Sequence, residues 1–129
     1  MEISPSGTPY VAYTDRSIAT NKATVMAYSG AGGWQAVGTA GFSAGAALNP
    51  SLAINSSGTP YVAYEDASNN PSTATVMEYS GGSWQVVGTA GFSSGTAEYT
   101  SLAFSATGVP FVAYVDVGNN YNATVMVYK

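Results

Sequence analysis

Short apolar runs alternate with clusters of Gly, Pro, Ser, Thr and Asn along the entire chain, and no stretch keeps an i, i+3, i+4 apolar spacing for three helical turns. The pattern predicts strands. In the middle of the chain it predicts four of them. Leu52–Ile54 is the first, closed by a hairpin turn at Asn55-Ser-Ser-Gly58 whose glycine supplies a positive φ. The second is Tyr61–Glu65, opened by Pro60 where a missing N–H is tolerated. Asp66–Pro71 is a loop. Thr73–Tyr79, rich in β-branched and aromatic residues, is the third strand. Gly81-Gly82 turns the chain into the fourth, Ser83–Val87, and Gly88–Thr100 leads onward. The first two strands are nearly all apolar, as expected of strands covered on both faces. The fourth mixes Trp and Val with Gln and Ser, as an outer strand with one wet face should.

The same order of runs returns along the chain. Ser57 to Tyr64 repeats Ser6 to Tyr13 identically, and Thr107-Gly-Val-Pro-Phe-Val-Ala-Tyr114 is a relaxed third copy. Ala23-Thr-Val-Met26 recurs at Ala74 and at Ala123, and Trp34 to Ser43 recurs as Trp84 to Ser93 with one change. Ser51-Leu-Ala-Ile54 recurs as Ser101 to Phe104, with Met1-Glu-Ile3 in register. The units are 1–50, 51–100 and a partial 101–129 that stops after its third strand. Length differences between copies fall in Gly/Ser/Asn-rich stretches, where loops absorb insertions.

Composition narrows the chemistry. Charged residues are 8% of the chain against about 25% in an ordinary soluble domain, so the surface is built from Ser, Thr, Asn, Gln and Gly. That mixture suits an extracellular all-β protein. Three basic residues and a net charge of −4 exclude a basic stripe for nucleic acid or anionic membrane. The absence of Cys and His removes disulfides, thiolate chemistry, the commonest general base and the commonest transition-metal ligand. No apolar run approaches the ~20 residues that span a bilayer, and Met1 leads straight into strand-like sequence without a signal peptide. An excised mature protein and a partial gene both fit that start.

The Leu-Ala-Ile, Ser-Gly-Thr-Pro-Tyr-Val-Ala-Tyr-x-Asp, Thr-Val-Met and Trp-Gln-x-Val-Gly pattern resembles β-propeller blades of bacterial extracellular repeat proteins. It has the hairpin logic of NHL-type blades without their Asn-Arg signature, and it lacks the Gly-His and Trp-Asp pairs of WD40 repeats. The resemblance covers essentially the whole chain and implies an all-β fold: a propeller fragment of four-stranded antiparallel blades, about two and three-quarter blades per chain. A solenoid coil would be shorter, and a sandwich has no reason to repeat its sequence. Such an open array leaves greasy end faces and an unpaired edge. The expected partner is therefore another copy, most simply two chains completing a six-bladed ring, or neighbouring blades of a longer parent.

Each unit ends its second strand with an aspartate: Asp15, Asp66 and Asp116. With Asn70, Asn120 and Tyr99 these form a candidate ligand rim, suited to a sugar hydroxyl or a cation. The plainer reading, which the start-of-turn position favours, is that each Asp accepts bonds from its own loop backbone. Asp66-Ala-Ser-Asn-Asn70 and Asp116-Val-Gly-Asn-Asn120 resemble oxygen-ligand calcium loops, but one Asp per loop without a bidentate Glu is a poor ligand set. No cofactor is expected. Glu65 and Asp66 are adjacent acids on a strand, so they point to opposite faces and cannot act as a pair. Trp34, Trp84, Phe42 and Phe92 are candidate sugar platforms, with packing between units the favoured alternative. The positions that break the repeat, Arg16 to Lys22 and Ala47–Pro50 against Ala97–Thr100, are the better places to seek a ligand site.

The expected function is non-catalytic, a scaffold or adhesion module of a bacterial secreted or surface protein. A lectin-like propeller and a fragment of a glycosidase-type propeller are the alternatives.

Overall fold

The computed structural model describes residues 1–68 and 70–128, and across them the chain folds into strands and two single 3₁₀ turns. Each repeat unit makes one antiparallel meander. The first is β1 (Glu2–Ile3), β2 (Pro9–Asp15), β3 (Lys22–Tyr28) and β4 (Trp34–Ala36), hydrogen-bonded in chain order. The second is β5 (Ala47–Ile54), β6 (Pro60–Asp66), β7 (Thr73–Ser80) and β8 (Ser83–Val86). The third is β9 (Ala97–Phe104), β10 (Pro110–Asp116) and β11 (Asn122–Val127). The chain is all-β, in sheets of 4, 4 and 3 strands, and none of the sheets closes on itself.

Local chemistry explains the register. The motif Val-Ala-Tyr pairs with Thr-Val-Met the same way each time, Ala12 opposite Val25, Ala63 opposite Val76 and Ala113 opposite Val125. The turn before it is closed by a side chain: the Asn55 amide oxygen accepts the N–H groups of Ser57 and Thr59 at 3.0 and 2.9 Å. Ser4 and Ser105 cap the equivalent turns through their hydroxyls. Gly81 and Gly82, at φ 60° and 86°, form the two-residue turn that lets Ser80 pair with Ser83. In the first unit one extra residue fits into that turn as a 3₁₀ turn, Gly30–Gly32.

The first strand of each later unit is longer than the apolar run predicts. β5 and β9 begin at Ala47 and Ala97, and each carries a register shift, near Asn49 and Tyr99 respectively. Both residues have positive φ, 48° and 53°, so the strand bends there and resumes. Asparagine tolerates that conformation; a tyrosine in it is uncommon.

The sheets stack face to face through two cores. Ala23 and Val25 of the first sheet meet Leu52, Val62, Tyr64, Met77 and Trp84 of the second. Ala63, Ala74 and Val76, on the other face of the second sheet, meet Leu102, Val112 and Tyr114 of the third. The period of two along β6 therefore serves both neighbours. Covering on both faces holds for the middle sheet alone. Tyr64 is fully buried while Tyr13, in the same motif, is exposed, as are Ile3, Val125 and Val127 on the outward faces of the flanking sheets. The Tyr128 hydroxyl is buried without a hydrogen-bond partner among the described residues.

Candidate functional site

The three aspartates end β2, β6 and β10, where the chain leaves the sheet for the loop that leads to the next strand. Asp15 accepts the Ser17 N–H at 3.0 Å and its hydroxyl at 2.6 Å. Asp66 accepts the Ser68 N–H at 3.0 Å. The second carboxylate oxygen of each Asp accepts a threonine hydroxyl from the neighbouring strand: Thr24, Thr75 and Thr124 at 3.4, 3.2 and 3.3 Å. Thr24 and Thr75 in turn accept the N–H of Gly41 and Gly91, both at 2.9 Å. Asp15 and Asp66 thus tie a loop, a strand and the segment leading to the next sheet into one relay, the local-turn reading of their position. The Ser17 hydroxyl and N–H hold the Asp15 carboxyl below the usual range.

The other proposed rim residues lie in separate loops and on β9. Asn70 and Asn120 are exposed in separate loops, Asn120 at φ 53°. Tyr99 sits on the β9 bulge with 66% of its surface exposed. Asn69, in the middle of the calcium-like loop, lies outside the described residues. Among the described residues no three acidic groups come together to hold a metal.

The aromatic residues form a lock between units. Phe42, in the segment after β4, stacks on Trp84 of β8 with centroids 4.1 Å apart and planes inclined by 13°. The Trp84 indole N–H donates to the Val37 carbonyl at 2.8 Å. Gly38 passes so close that a Cβ there would come within 2.7 Å of the Tyr79 ring. At the next junction Phe92 meets Tyr128 and Tyr114 edge-on at 5.0 and 6.1 Å. Trp34 has no such partner: it leans on Tyr28 at 5.6 Å and remains 45% exposed, against 9% for Trp84.

The repeat-breaking segments do converge. Between the first two sheets a cleft of about 470 Å³ is lined by Thr14, Arg16, Asn21, Leu48 and Asn49. Its floor is fixed from both sides: the Thr14 hydroxyl donates to the Ala47 carbonyl at 2.8 Å, and the Ala47 N–H donates to the Asn21 carbonyl at 3.1 Å. No known protein family, curated protein or solved structure matches the chain. Its internal copies stand in for relatives: a residue kept in each copy serves the shared frame, and a residue that changes is free to serve a ligand.

At the corresponding place in the second unit stands Glu65, 7% exposed, with Glu98 of the third unit near enough to act on it. Burial, and next the charge of Glu98, push the Glu65 carboxyl above the usual range, while hydrogen bonds from Ser72 and Asn49 offset part of that. Adjacency on a strand sets Asp66 aside as a partner, and the charge that acts on Glu65 is that of Glu98, on another sheet. The folded state then holds the Glu65 proton at a pH where the unfolded chain has released it, so stability falls as pH rises from about the unfolded value toward the raised one. Glu65→Gln removes that dependence. The variant is expected to match the parent below about pH 4 and to exceed it at neutral pH. Urea melts at several pH values check this, and a parent that gains on the variant as pH rises contradicts it.

Proposed function

We propose that the chain is a stretch of a β-propeller, a non-catalytic repeat module of a secreted or surface-displayed bacterial protein that serves as a scaffold and binding surface. The observation that carries this reading is the lock between successive sheets. An aromatic from the segment leaving one unit packs against the next unit's sheet at both junctions, Phe42 on Trp84 and Phe92 on Tyr128. Sheets of one kind, each joined to the next by an aromatic from the connecting segment, are what a propeller stacks around its axis through apolar faces. The composition supports an extracellular setting, and no helix among the described residues is long and apolar enough to cross a membrane.

The same lock argues for what covers the outward faces. Trp34 and Tyr28 present to solvent the surface that the second unit presents to Phe42, and Val125 and Val127 lie open on the third sheet. In a longer parent, further units meet these faces. In the 129-residue chain studied alone, another copy does, through head-to-tail contact that closes a ring. Light scattering at micromolar concentration is expected to give a mass of at least two chains, and Trp34→Ser to shift it toward one. A parent chain that stays monomeric and does not aggregate at high concentration would sink the proposal.

The cleft at the first junction favours one alternative among binding functions, recognition of carbohydrate at the loop rim. It combines an exposed cation, two amides and an apolar side chain in an open site.

A further inference from the structure

The two junctions share one backbone frame and differ in what is mounted on it. Ala47 N–H donates to the Asn21 carbonyl at the first, and Ala97 N–H to the Ser72 carbonyl at the second, both at 3.1 Å. Where the first has Thr14, Arg16 and Leu48, the second has Glu65, Ala67 and Glu98. One groove carries a guanidinium and the other two carboxyls.

Lys22, next to Asn21 in sequence, lines a second cavity of about 380 Å³ together with Phe42 and Trp84. Both side-chain cations of the described residues therefore sit at one junction, in a chain whose net charge is −4. Asn21 lies between them in sequence. No hydrogen bond or ion pair engages the side chains of Arg16 or Asn21 among the described residues, so their donors are available. Asn49 lines the cleft next to Leu48, which is exposed at the cleft wall.

We infer that the junction between the first and second sheets binds an acidic oligosaccharide of the uronic-acid class. The Arg16 fork takes one carboxylate in a two-point contact, the geometry guanidinium groups favour. The amide of Asn21 takes ring hydroxyls, Leu48 lies against the C–H face of the sugar, and Lys22 meets a neighbouring carboxylate along the oligomer. The second junction carries no cation at these positions and has Glu65 and Glu98 instead, so the same ligand is not expected there. One site per chain follows. This inference deepens the carbohydrate-binding reading and stands apart from ring closure: the chain can associate as proposed and still fail to bind, or bind as a monomer.

Calorimetric titration with oligogalacturonate and with a neutral gluco-oligosaccharide of equal length tests it. The acidic oligomer is expected to bind at low ionic strength with one site per chain and to weaken with added salt. Arg16→Ala is expected to weaken binding by about tenfold or more, Lys22→Ala by a few-fold, and Arg16→Glu to abolish it. Arg16 is exposed and has no side-chain partner among the described residues, so these variants keep the parent's circular dichroism. Silence at millimolar oligogalacturonate overturns the inference, as does binding that survives Arg16→Glu. Equal affinity for the neutral oligomer, or full displacement by millimolar inorganic sulfate, overturns the assignment to acidic sugars.

Discussion

Replacing Trp84 by alanine lowers the free energy of unfolding by about 3–5 kcal/mol, whereas the same change at Trp34 costs about 1 kcal/mol. The two residues share a sequence context, Trp-Gln followed by Val-Gly-Thr-Ala-Gly-Phe-Ser, and a propensity argument gives them equal weight. Their surroundings decide otherwise. Trp84 is buried beneath Phe42 and donates its indole N–H across the junction, so its removal leaves a cavity between sheets and an unpaired Val37 carbonyl. Trp34 touches Tyr28 on an open face. Against a total stability of about 5–15 kcal/mol, the first loss brings the stack close to unfolding at room temperature. Denaturant titration of the two variants, monitored by circular dichroism at low protein concentration, measures both. Equal losses would show that Trp84 adds nothing across the junction.

Asp66→Ala is expected to cost about 2–3 kcal/mol, and Asp66→Asn distinctly less. Asp66 is 5% exposed, and its carboxylate accepts the Ser68 N–H and the Thr75 hydroxyl, which itself receives the Gly91 N–H. Alanine leaves the buried Thr75 hydroxyl without its acceptor and removes the anchor of the loop, while asparagine retains an acceptor oxygen for one of the two bonds. Asp15 holds a similar set in a more open loop, with a longer bond to Thr24, and Asp15→Ala should cost less than Asp66→Ala. Thermal melts of the three variants rank them. An Asp66→Ala protein as stable as its parent would mean that water replaces the relay, contrary to its burial.

Much of this architecture is legible in the chain. The glycines, prolines and asparagines that punctuate the repeat mark the turns, and the Val-Ala-Tyr and Thr-Val-Met runs mark strands that pair in one register three times. The bulges were not legible, because nothing in Ala-Glu-Tyr-Thr announces a tyrosine at positive φ. Nor was the contrast between Tyr13 and Tyr64, since identical motifs receive their burial from neighbours rather than from themselves. The cleft was half legible. Departures from the repeat pointed to the segments that contain Arg16 and Leu48, but their meeting depends on one sheet lying against the next. The candidate rim at Asp15, Asp66 and Asp116 stood beside the plainer local-turn reading, and the bonds that Asp15 and Asp66 make to their own loops are those such a turn predicts.

Because odd and even positions of β6 serve different neighbours, each contact between sheets is written in its own set of letters. Val62 and Tyr64 face backward along the stack, and Ala63 faces forward. A unit built this way can be copied, and each copy will dock on the last without any new side chain. Growth by duplication is thereby open to the chain, and differences between copies fall at the seams, where Thr14, Arg16 and Leu48 against Glu65, Ala67 and Glu98 give one junction a charge opposite to its neighbour's.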